Sequence, residues 1–179
     1  FLVSPDTDNL PLAIFISSYI HKLLGKRLEL LDDKFLYGRN DEGAWVTSLE
    51  DETIFNVIRM VFDEVKEDYN LKVNLGIDMA ASQLYKDGAY NYKNKVFSRE
   101  ELIKPNQIGS VVKSYDAVKL CKENGLVPIL SHRSGETESN ILANLAIGFE
   151  VPYVKFGIVN GERITKLNEL IRIYDRLNK

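Results

Sequence analysis

The sequence predicts a single domain of the α/β class. In its second half, apolar strands, polar loops and amphipathic helices follow one another in the repeating order typical of a parallel sheet covered by helices. The chain has 179 residues, 45% of them hydrophobic, which is enough for one sizeable core. The sequence contains neither an internal repeat nor a low-complexity segment that would indicate another architecture.

The first half is predicted to contain two helices, two strands and a hairpin. Apolar residues recur at helical spacing through residues 10–24, and residues 51–69 carry one apolar stripe with charges opposite it. Short apolar runs at 1–5 and 73–77 predict buried strands, the first of them stopped by a proline. Residues 85–97 are predicted to form a hairpin or loop that turns at a Lys-Asp-Gly sequence.

Helices and strands alternate from residue 111 to the end of the chain. A helix is predicted over 111–123, closed by an Asn-Gly pair, and a strand over 126–130 follows it. A second helix at 139–147 and a second strand at 152–156 continue the alternation. The last helix is predicted to bury one face, made of Ile164, Leu167, Ile171 and Tyr174.

One junction conflicts with this alternation. Ser98 and Glu101 form a capping box, which begins a helix, but Pro105 follows so closely that the helix would last barely one turn. The residues around Lys104 read instead as the end of a buried strand. A parallel crossover needs roughly a dozen residues or more, and the junction has no room for one. We therefore expect a missing segment between Glu101 and Lys104.

Composition narrows the class of protein. With 23 basic and 26 acidic side chains the formal net charge is −3, which gives no indication of a nucleic-acid or anionic-membrane partner. The most apolar stretch, residues 10–20, is too short to span a bilayer. The single cysteine, Cys121, excludes an internal disulfide and fits a reducing cytoplasm, which is the predicted location.

Polar side chains follow several of the predicted strands. In parallel α/β folds, active sites form at the carboxyl ends of the strands. Two lysines, an arginine, a histidine and a carboxylate there would make a cationic pocket suited to a phosphorylated or carboxylated small molecule. The candidates at strand ends are Asp78, Lys104, His132, Arg133, Ser134 and Lys155.

Each candidate also has a plainer interpretation. Lys155 fits a lysine whose charged end reaches solvent from an apolar strand, and Asp78 fits a turn cap. Glu42 lies in the turn-like sequence Asn-Asp-Glu-Gly and would by default be a solvated carboxylate. His132 fits a hydrogen-bonded structural imidazole.

Five segments at these positions resemble the enolase (phosphopyruvate hydratase) family, in the family's order. Residues 131–138 read SHRSGETE, which is the family signature without a mismatch, and residues 104–109 resemble its K-x-N-Q-I-G segment. Residues 75–88 are similar to the stretch LDVAASEFYKDGKY. Residues 41–44 resemble the DEGG turn with Ala44 in place of its second glycine, and 154–157 resemble I-K-T-G.

The resemblance implies a fold, a reaction and a ligand. Residues 1–179 would form part of an enolase-type (β/α)8 barrel, the C-terminal catalytic domain, with the family's N-terminal capping domain absent. The implied activity is that of a lyase of glycolysis, the Mg2+-dependent interconversion of 2-phosphoglycerate and phosphoenolpyruvate. Because the family is commonly dimeric, a homo-oligomer is also an expectation.

The resemblance also implies a role for each candidate residue. Lys104 would be the base that removes the α-proton of 2-phosphoglycerate, and Glu42 the acid that assists departure of the 3-hydroxyl. Asp78 would be one of three carboxylate ligands of the magnesium. The remaining residues would contact the substrate: Arg133 and Ser134 its phosphate, Lys155 its carboxylate, and His132 the pocket wall.

The chain departs from the family where the second and third magnesium carboxylates would lie. The family carries them in motifs like S-I-E-D-P and D-D-L, which fall between the segments matched at Glu101 and Lys104, and neither motif occurs in this sequence. Two explanations stay open, a sequence that lacks part of a longer parent and a natural short relative. Ala44 and the poor match over residues 10–39 keep a second function open: a non-catalytic enolase-like protein that binds a phosphorylated metabolite or a partner.

Overall fold

The computed structural model describes residues 1–77, 110–133 and 135–179 in full, and the backbone of three short strands within 85–97. The described elements follow the order that the sequence predicts. In chain order they are β1 (Leu2–Pro5), α1 (Leu10–Leu31), α2 (Asp51–Tyr69), β2 (Val73–Gly76), β3 (Tyr85–Lys86), β4 (Ala89–Tyr92), β5 (Lys95–Phe97), α3 (Val111–Glu123), β6 (Ile129–Ser131), α4 (Ile141–Gly148), β7 (Tyr153–Lys155) and α5 (Gly161–Leu177).

Strands β1 and β2 and helices α1 and α2 form the N-terminal region. Helix α1 begins at a side-chain cap, where Oδ1 of Asn9 accepts a hydrogen bond of 3.0 Å from the backbone N–H of Leu12. The apolar stripes of α1 and α2 then meet over the two strands, and burial of these stripes drives the packing. The buried cluster between them consists of Ile16, Ile20, Leu23, Val61, Val65 and Val73.

Two features of this region were not predicted. Strand β1 pairs with β2 in the antiparallel sense, with Leu2 opposite Gly76, whereas the sequence indicated a parallel sheet from the alternation in its second half. Helix α1 continues to Leu31, beyond the predicted end at residue 24. Gly25 lies within this helix, at its contact with Trp45. A β-carbon there would lie 3.0 Å from the indole ring, so the glycine gives this ring room to pack against the helix.

The C-terminal region has the predicted parallel arrangement. Strand β6 pairs in parallel with β7, with Ile129 opposite Tyr153, and helix α4 connects the two strands. Helix α5 packs against α4 and also against α1, so that it joins the two ends of the chain. The strands of the described part form three separate sheets of two, three and two strands, and a closed barrel is not seen within it.

Other predictions are confirmed or fall outside the described residues. The three described strands within 85–97 pair in the antiparallel sense, with β4 between β3 and β5, as the predicted hairpin requires. The conflict between the capping box and Pro105 lies at 98–109, outside the described residues. In the ranges that the structure describes, the helices are too short or too polar to cross a membrane.

The buried face of α5 also differs from the prediction. Leu167 is buried as predicted, but Ile164 is 37% exposed. Arg163, Lys166 and Glu169 are buried on this helix, at a spacing of three residues. Apolar periodicity therefore located the helix correctly and assigned its inner face only in part.

Candidate active site

The loop that carries Glu42 is a tight turn, held by hydrogen bonds between its own residues. Oδ1 of Asn40 accepts hydrogen bonds from the backbone N–H groups of Glu42 and Ala44, at 3.0 and 2.9 Å. Gly43 has φ +80°, a conformation that favours glycine, and a β-carbon there would lie 2.3 Å from Cγ2 of Val159. The turn therefore packs closely on the loop that follows β7.

Helix α1 supports this turn from the other side. Nε2 of His21 donates a hydrogen bond of 2.9 Å to the carbonyl oxygen of Gly43, and the imidazole stacks on Trp45 at 4.4 Å. The indole N–H of Trp45 donates in turn to the His21 carbonyl, at 2.8 Å. Burial is the main cause that lowers the pKa of His21. His21 therefore acts as a neutral structural donor at physiological pH.

Glu42 and Lys155 form an ion pair across the candidate site. Oε2 of Glu42 lies 3.4 Å from Nζ of Lys155, which is the last residue of β7. The two side chains are 34% and 16% exposed, so the pair is only partly screened by solvent. Glu42 is therefore not simply a solvated loop carboxylate, and Lys155 is not simply a lysine whose charged end reaches solvent.

His132 follows β6 and is buried beside this pair. Its side chain is 5% exposed, and its ring lies nearly parallel to that of Phe156 with 6.0 Å between the ring centres. Burial lowers the pKa of His132 to about 4, and the Arg163 guanidinium contributes in the same direction. The Glu42 carboxylate raises the pKa and the Lys155 ammonium lowers it, with smaller effects. The imidazole is therefore neutral at pH 7.

Arg163 connects three of these parts from its position on α5. Its Nη1 donates a hydrogen bond to Nε2 of His132, and its Nη2 donates one of 2.7 Å to the carbonyl oxygen of Asp41. The stem of Arg163 passes over Gly157, where a β-carbon would lie 2.6 Å from Cδ of the arginine. The side chain is 1% exposed. A single buried guanidinium thus contacts the His132 segment, the Glu42 turn and the loop after β7.

Lys166 supports the signature segment from the next turn of α5. Its Nζ donates hydrogen bonds of 2.7 Å to the carbonyl oxygens of Thr137 and Glu162. Oε1 of Glu136 lies 3.8 Å from the same nitrogen. Since the lysine side chain is fully buried, these contacts replace the water that its ammonium group would otherwise bind.

Sequence reasoning missed both of these α5 cations. It read the helix by its apolar stripe, and charged residues within a helix are usually solvated. The available signal was the spacing of Arg163, Lys166 and Glu169, which places three charged groups along one side of the helix. That spacing shows a shared face and does not show that the face is buried.

The predicted site residues fall into three groups. Glu42, His132 and Lys155 lie together in the structure. Arg133, next to His132, has an exposed side chain. The described residues include no cluster of three or more His, Cys, Asp or Glu side chains that could hold a metal ion. Asp78, Lys104 and Ser134 lie outside the described residues.

Comparison with known proteins gives this site a family context. Residues 93–179 match the enolase C-terminal TIM barrel domain family. The chain is 29% identical to an enolase of Natronomonas pharaonis, with 90% of this chain and 57% of the relative covered. It is 30% identical to an enolase of Archaeoglobus fulgidus, with 89% and 56% covered. The chain thus spans less than two thirds of the length of these relatives.

The alignment with an enolase of Pyrobaculum aerophilum uses the whole chain at 29% identity and covers 59% of the relative. This alignment spans 248 residues whereas the chain has 179, so the difference of 69 positions has no counterpart in the chain. The matches support an enolase C-terminal barrel domain over residues 93–179, and over most of its length the chain is similar to archaeal enolases.

Proposed function

We propose that this chain is the catalytic part of an enolase-type lyase that interconverts 2-phosphoglycerate and phosphoenolpyruvate with Mg2+. The observation that carries the proposal is the ion pair between Glu42 and Lys155 beside the buried, neutral His132. These residues come from three separate segments, and each matches a segment of the enolase pattern. The family match over residues 93–179 supports the same assignment.

The ion pair suggests how the ligand and the proposed acid interact. Lys155 is proposed to bind the substrate carboxylate, and in the structure its ammonium group faces the Glu42 carboxylate at 3.4 Å. A bound substrate carboxylate would compete with Glu42 for this cation. A general acid must lie within hydrogen-bond reach of the group that it protonates. Release from Lys155 would therefore allow the Glu42 carboxyl group to turn toward the departing 3-hydroxyl.

The remaining proposed roles belong to residues outside the described part and to Arg133. Lys104 is proposed as the base that takes the α-proton, with Asp78 as a magnesium ligand and Ser134 beside Arg133 at the phosphate. Mg2+, when bound, would stabilise the negative charge that develops on the substrate carboxylate. Aspartate oxygen is a suitable ligand because Mg2+ prefers hard oxygen donors.

The proposal is tested by following phosphoenolpyruvate absorbance with purified protein and 2-phosphoglycerate. We expect Mg2+-dependent turnover that falls at least about 1,000-fold in Lys104→Ala, as general-base catalysis contributes up to roughly 10,000-fold. Lys119→Ala is the matched control, since its side chain is 61% exposed and pairs with Glu123 on the same helix. Activity that survives in Lys104→Ala, or needs no Mg2+, would contradict the proposal.

A second function is favoured by the length of the alignment. We propose that the 69 positions without a counterpart fall at the junction between Glu101 and Lys104, where the capping box meets Pro105. The family's other two magnesium carboxylates belong to this interval. If the natural protein lacks it, Asp78 is the only proposed metal ligand, and a non-catalytic protein that binds a phosphorylated metabolite is the expected function.

Two measurements separate these functions. Sequencing the transcript across codons 101–104 shows whether the interval is missing from the natural protein. Calorimetric titration with a phosphonate analogue of 2-phosphoglycerate measures binding independently of turnover. Binding without turnover, together with a continuous transcript, favours the binding protein. Turnover that is lost in Lys104→Ala excludes it.

A further inference from the structure

Arg163 occupies a position that the proposed roles leave unexplained. A buried guanidinium is costly to desolvate unless its donors are used, and this one directs two of its nitrogens at two different segments of the candidate site. Neither of these acceptors is a carboxylate. Arg163 also forms an ion pair on its own helix, where its Nε lies 3.6 Å from Oε1 of Glu162, but both hydrogen bonds of its Nη atoms go to the neutral imidazole and the backbone carbonyl.

The hydrogen bond to His132 decides which ring nitrogen carries the proton. A guanidinium has donors only, so Nε2 of His132 must accept the hydrogen bond from Nη1 of Arg163. In the neutral imidazole the proton then resides on Nδ1. Nδ1 of His132 is buried and has no hydrogen-bond partner in the part of the chain that the structure describes. The contact thus leaves one buried donor available for a group outside these residues.

The second hydrogen bond ties the same guanidinium to the Glu42 turn. Nη2 donates to the carbonyl oxygen of Asp41, which immediately precedes Glu42. The positions of the His132 ring and of the Glu42 backbone are therefore set by one planar group. Displacement of Arg163 would move both residues, and the close contact with Gly157 leaves its stem little freedom to shift.

We propose that Arg163 is a positioning residue, which fixes His132 as the Nδ1–H tautomer and holds the imidazole ring in a defined position relative to Glu42. In the proposed function, on which this last step rests, His132 donates its Nδ1 hydrogen to an anionic oxygen of the bound substrate. The charged groups that act on His132 from the described segments are Arg163 on α5, Glu42 in its turn, Lys155 at the end of β7, and Glu136.

Nitrogen-15 NMR of the histidine side chains tests the tautomer directly in the full chain. In wild-type protein we expect Nδ1 to be protonated and Nε2 to be an acceptor between pH 6 and pH 8. His21 provides an internal reference of the opposite kind, because its Nε2 donates to the Gly43 carbonyl. A His132 signal with the proton on Nε2 would overturn the proposal whether or not any variant folds.

Arg163→Lys tests the role of the guanidinium fork. Lysine keeps the charge, but its single ammonium group cannot reproduce the planar pair of donors. We expect the His132 tautomers to mix and kcat/KM for 2-phosphoglycerate to fall about 100-fold, the loss typical of a small misplacement of catalytic groups. Arg172→Lys is the matched control, because it makes the same change on the same helix at a side chain that is 55% exposed.

The outcomes distinguish this proposal from the proposed function. If the wild-type protein shows no turnover, the lyase assignment fails, and the tautomer and its response to Arg163→Lys still report on Arg163. If turnover is present and Arg163→Lys leaves the His132 tautomer unchanged, the positioning role is refuted while the lyase assignment stands. Addition of 2-phosphoglycerate should shift the Nδ1 resonance more than Nε2, and the reverse result contradicts donation to the substrate.

Discussion

The two ends of this chain bury different kinds of side chain. Between α1 and α2 the buried cluster is wholly aliphatic, with Ile16 and Val61 at 0% exposure. On α5 the most deeply buried side chains are the cations Arg163 and Lys166. Aliphatic burial stabilises without specifying direction, whereas each buried cation requires particular acceptors at particular distances. The first region therefore supplies stability, and the second fixes the loops of the candidate site.

The largest effect is expected in the aliphatic region. Ile16→Ala should lower the free energy of unfolding by about 4 kcal/mol, because it removes buried methyl groups and leaves a cavity. Urea denaturation measures the change. Leu30→Ala on the same helix, at a side chain that is 74% exposed, should change it by less than about 0.5 kcal/mol. The His132 tautomer should be unchanged in folded Ile16→Ala protein, and a change there would show that the two regions are coupled.

The same contrast explains what the sequence could predict. Helix α2 was predicted at its observed bounds of Asp51–Tyr69 because its apolar stripe is a local pattern. The antiparallel pairing of β1 with β2 was not predicted, since two short apolar runs carry no information about strand direction. The inner contacts of Arg163 join residues 31 and 122 positions apart. No local period encodes such contacts.

For the candidate site, too, some features could be predicted from the sequence and others could not. Glu42, His132 and Lys155 could be nominated because they lie in segments that resemble a known pattern. The pairing of Glu42 with Lys155 and the low pKa of His132 depend on burial and on neighbours distant in the chain. A sequence can thus name polar residues at strand ends, while the fold determines their charge and tautomer.

Removing the Lys166 cation should have the next largest effect. Lys166→Met keeps most of the side-chain volume but removes the donor to the carbonyl oxygen of Thr137, whereas the carbonyl oxygen of Glu162 still accepts a hydrogen bond from Oγ1 of Thr165. We expect a loss of about 3 kcal/mol in the free energy of unfolding, within the range for a buried polar group that loses its partner. Lys119→Met, at an exposed surface pair, is the control. Unchanged stability in Lys166→Met would mean that this polar region is held by its apolar contacts alone.

Protonation of His132 should have a smaller effect on stability than loss of the Lys166 cation, and it should appear in the pH dependence of stability. Its pKa is about 4 in the folded state and 6.5 ordinarily, so the unfolded chain binds more protons between these values. Stability is therefore complete above pH 6.5 and declines as the pH falls toward 4. Denaturation midpoints measured across this window should fall less in His132→Gln than in wild-type protein.

Asp32 provides the control for that window. Hydrogen bonds from Thr47 and Ser48 hold the pKa of its carboxyl below the usual value of 3.8. A lowered carboxylate pKa contributes stability that is lost only as the pH falls below that ordinary value. Asp32→Asn should therefore change how stability declines below about pH 4, and it should leave the decline between pH 6.5 and pH 4 intact. An altered slope in that upper window would contradict the assignment to His132.

The smallest effect should come from the ion pair on the outside of the aliphatic region. Nη2 of Arg27 lies 2.9 Å from Oε2 of Glu64, a shorter separation than that between Lys155 and Glu42. The two side chains are nevertheless 40% and 30% exposed, so solvent and salt screen the pair. In a double-mutant cycle with Arg27→Gln and Glu64→Gln we expect a coupling of less than about 0.5 kcal/mol, lower still in 1 M salt. A coupling above 1 kcal/mol would contradict the contrast between the two regions. It would show that an exposed arginine can contribute to stability as strongly as a buried one such as Arg163.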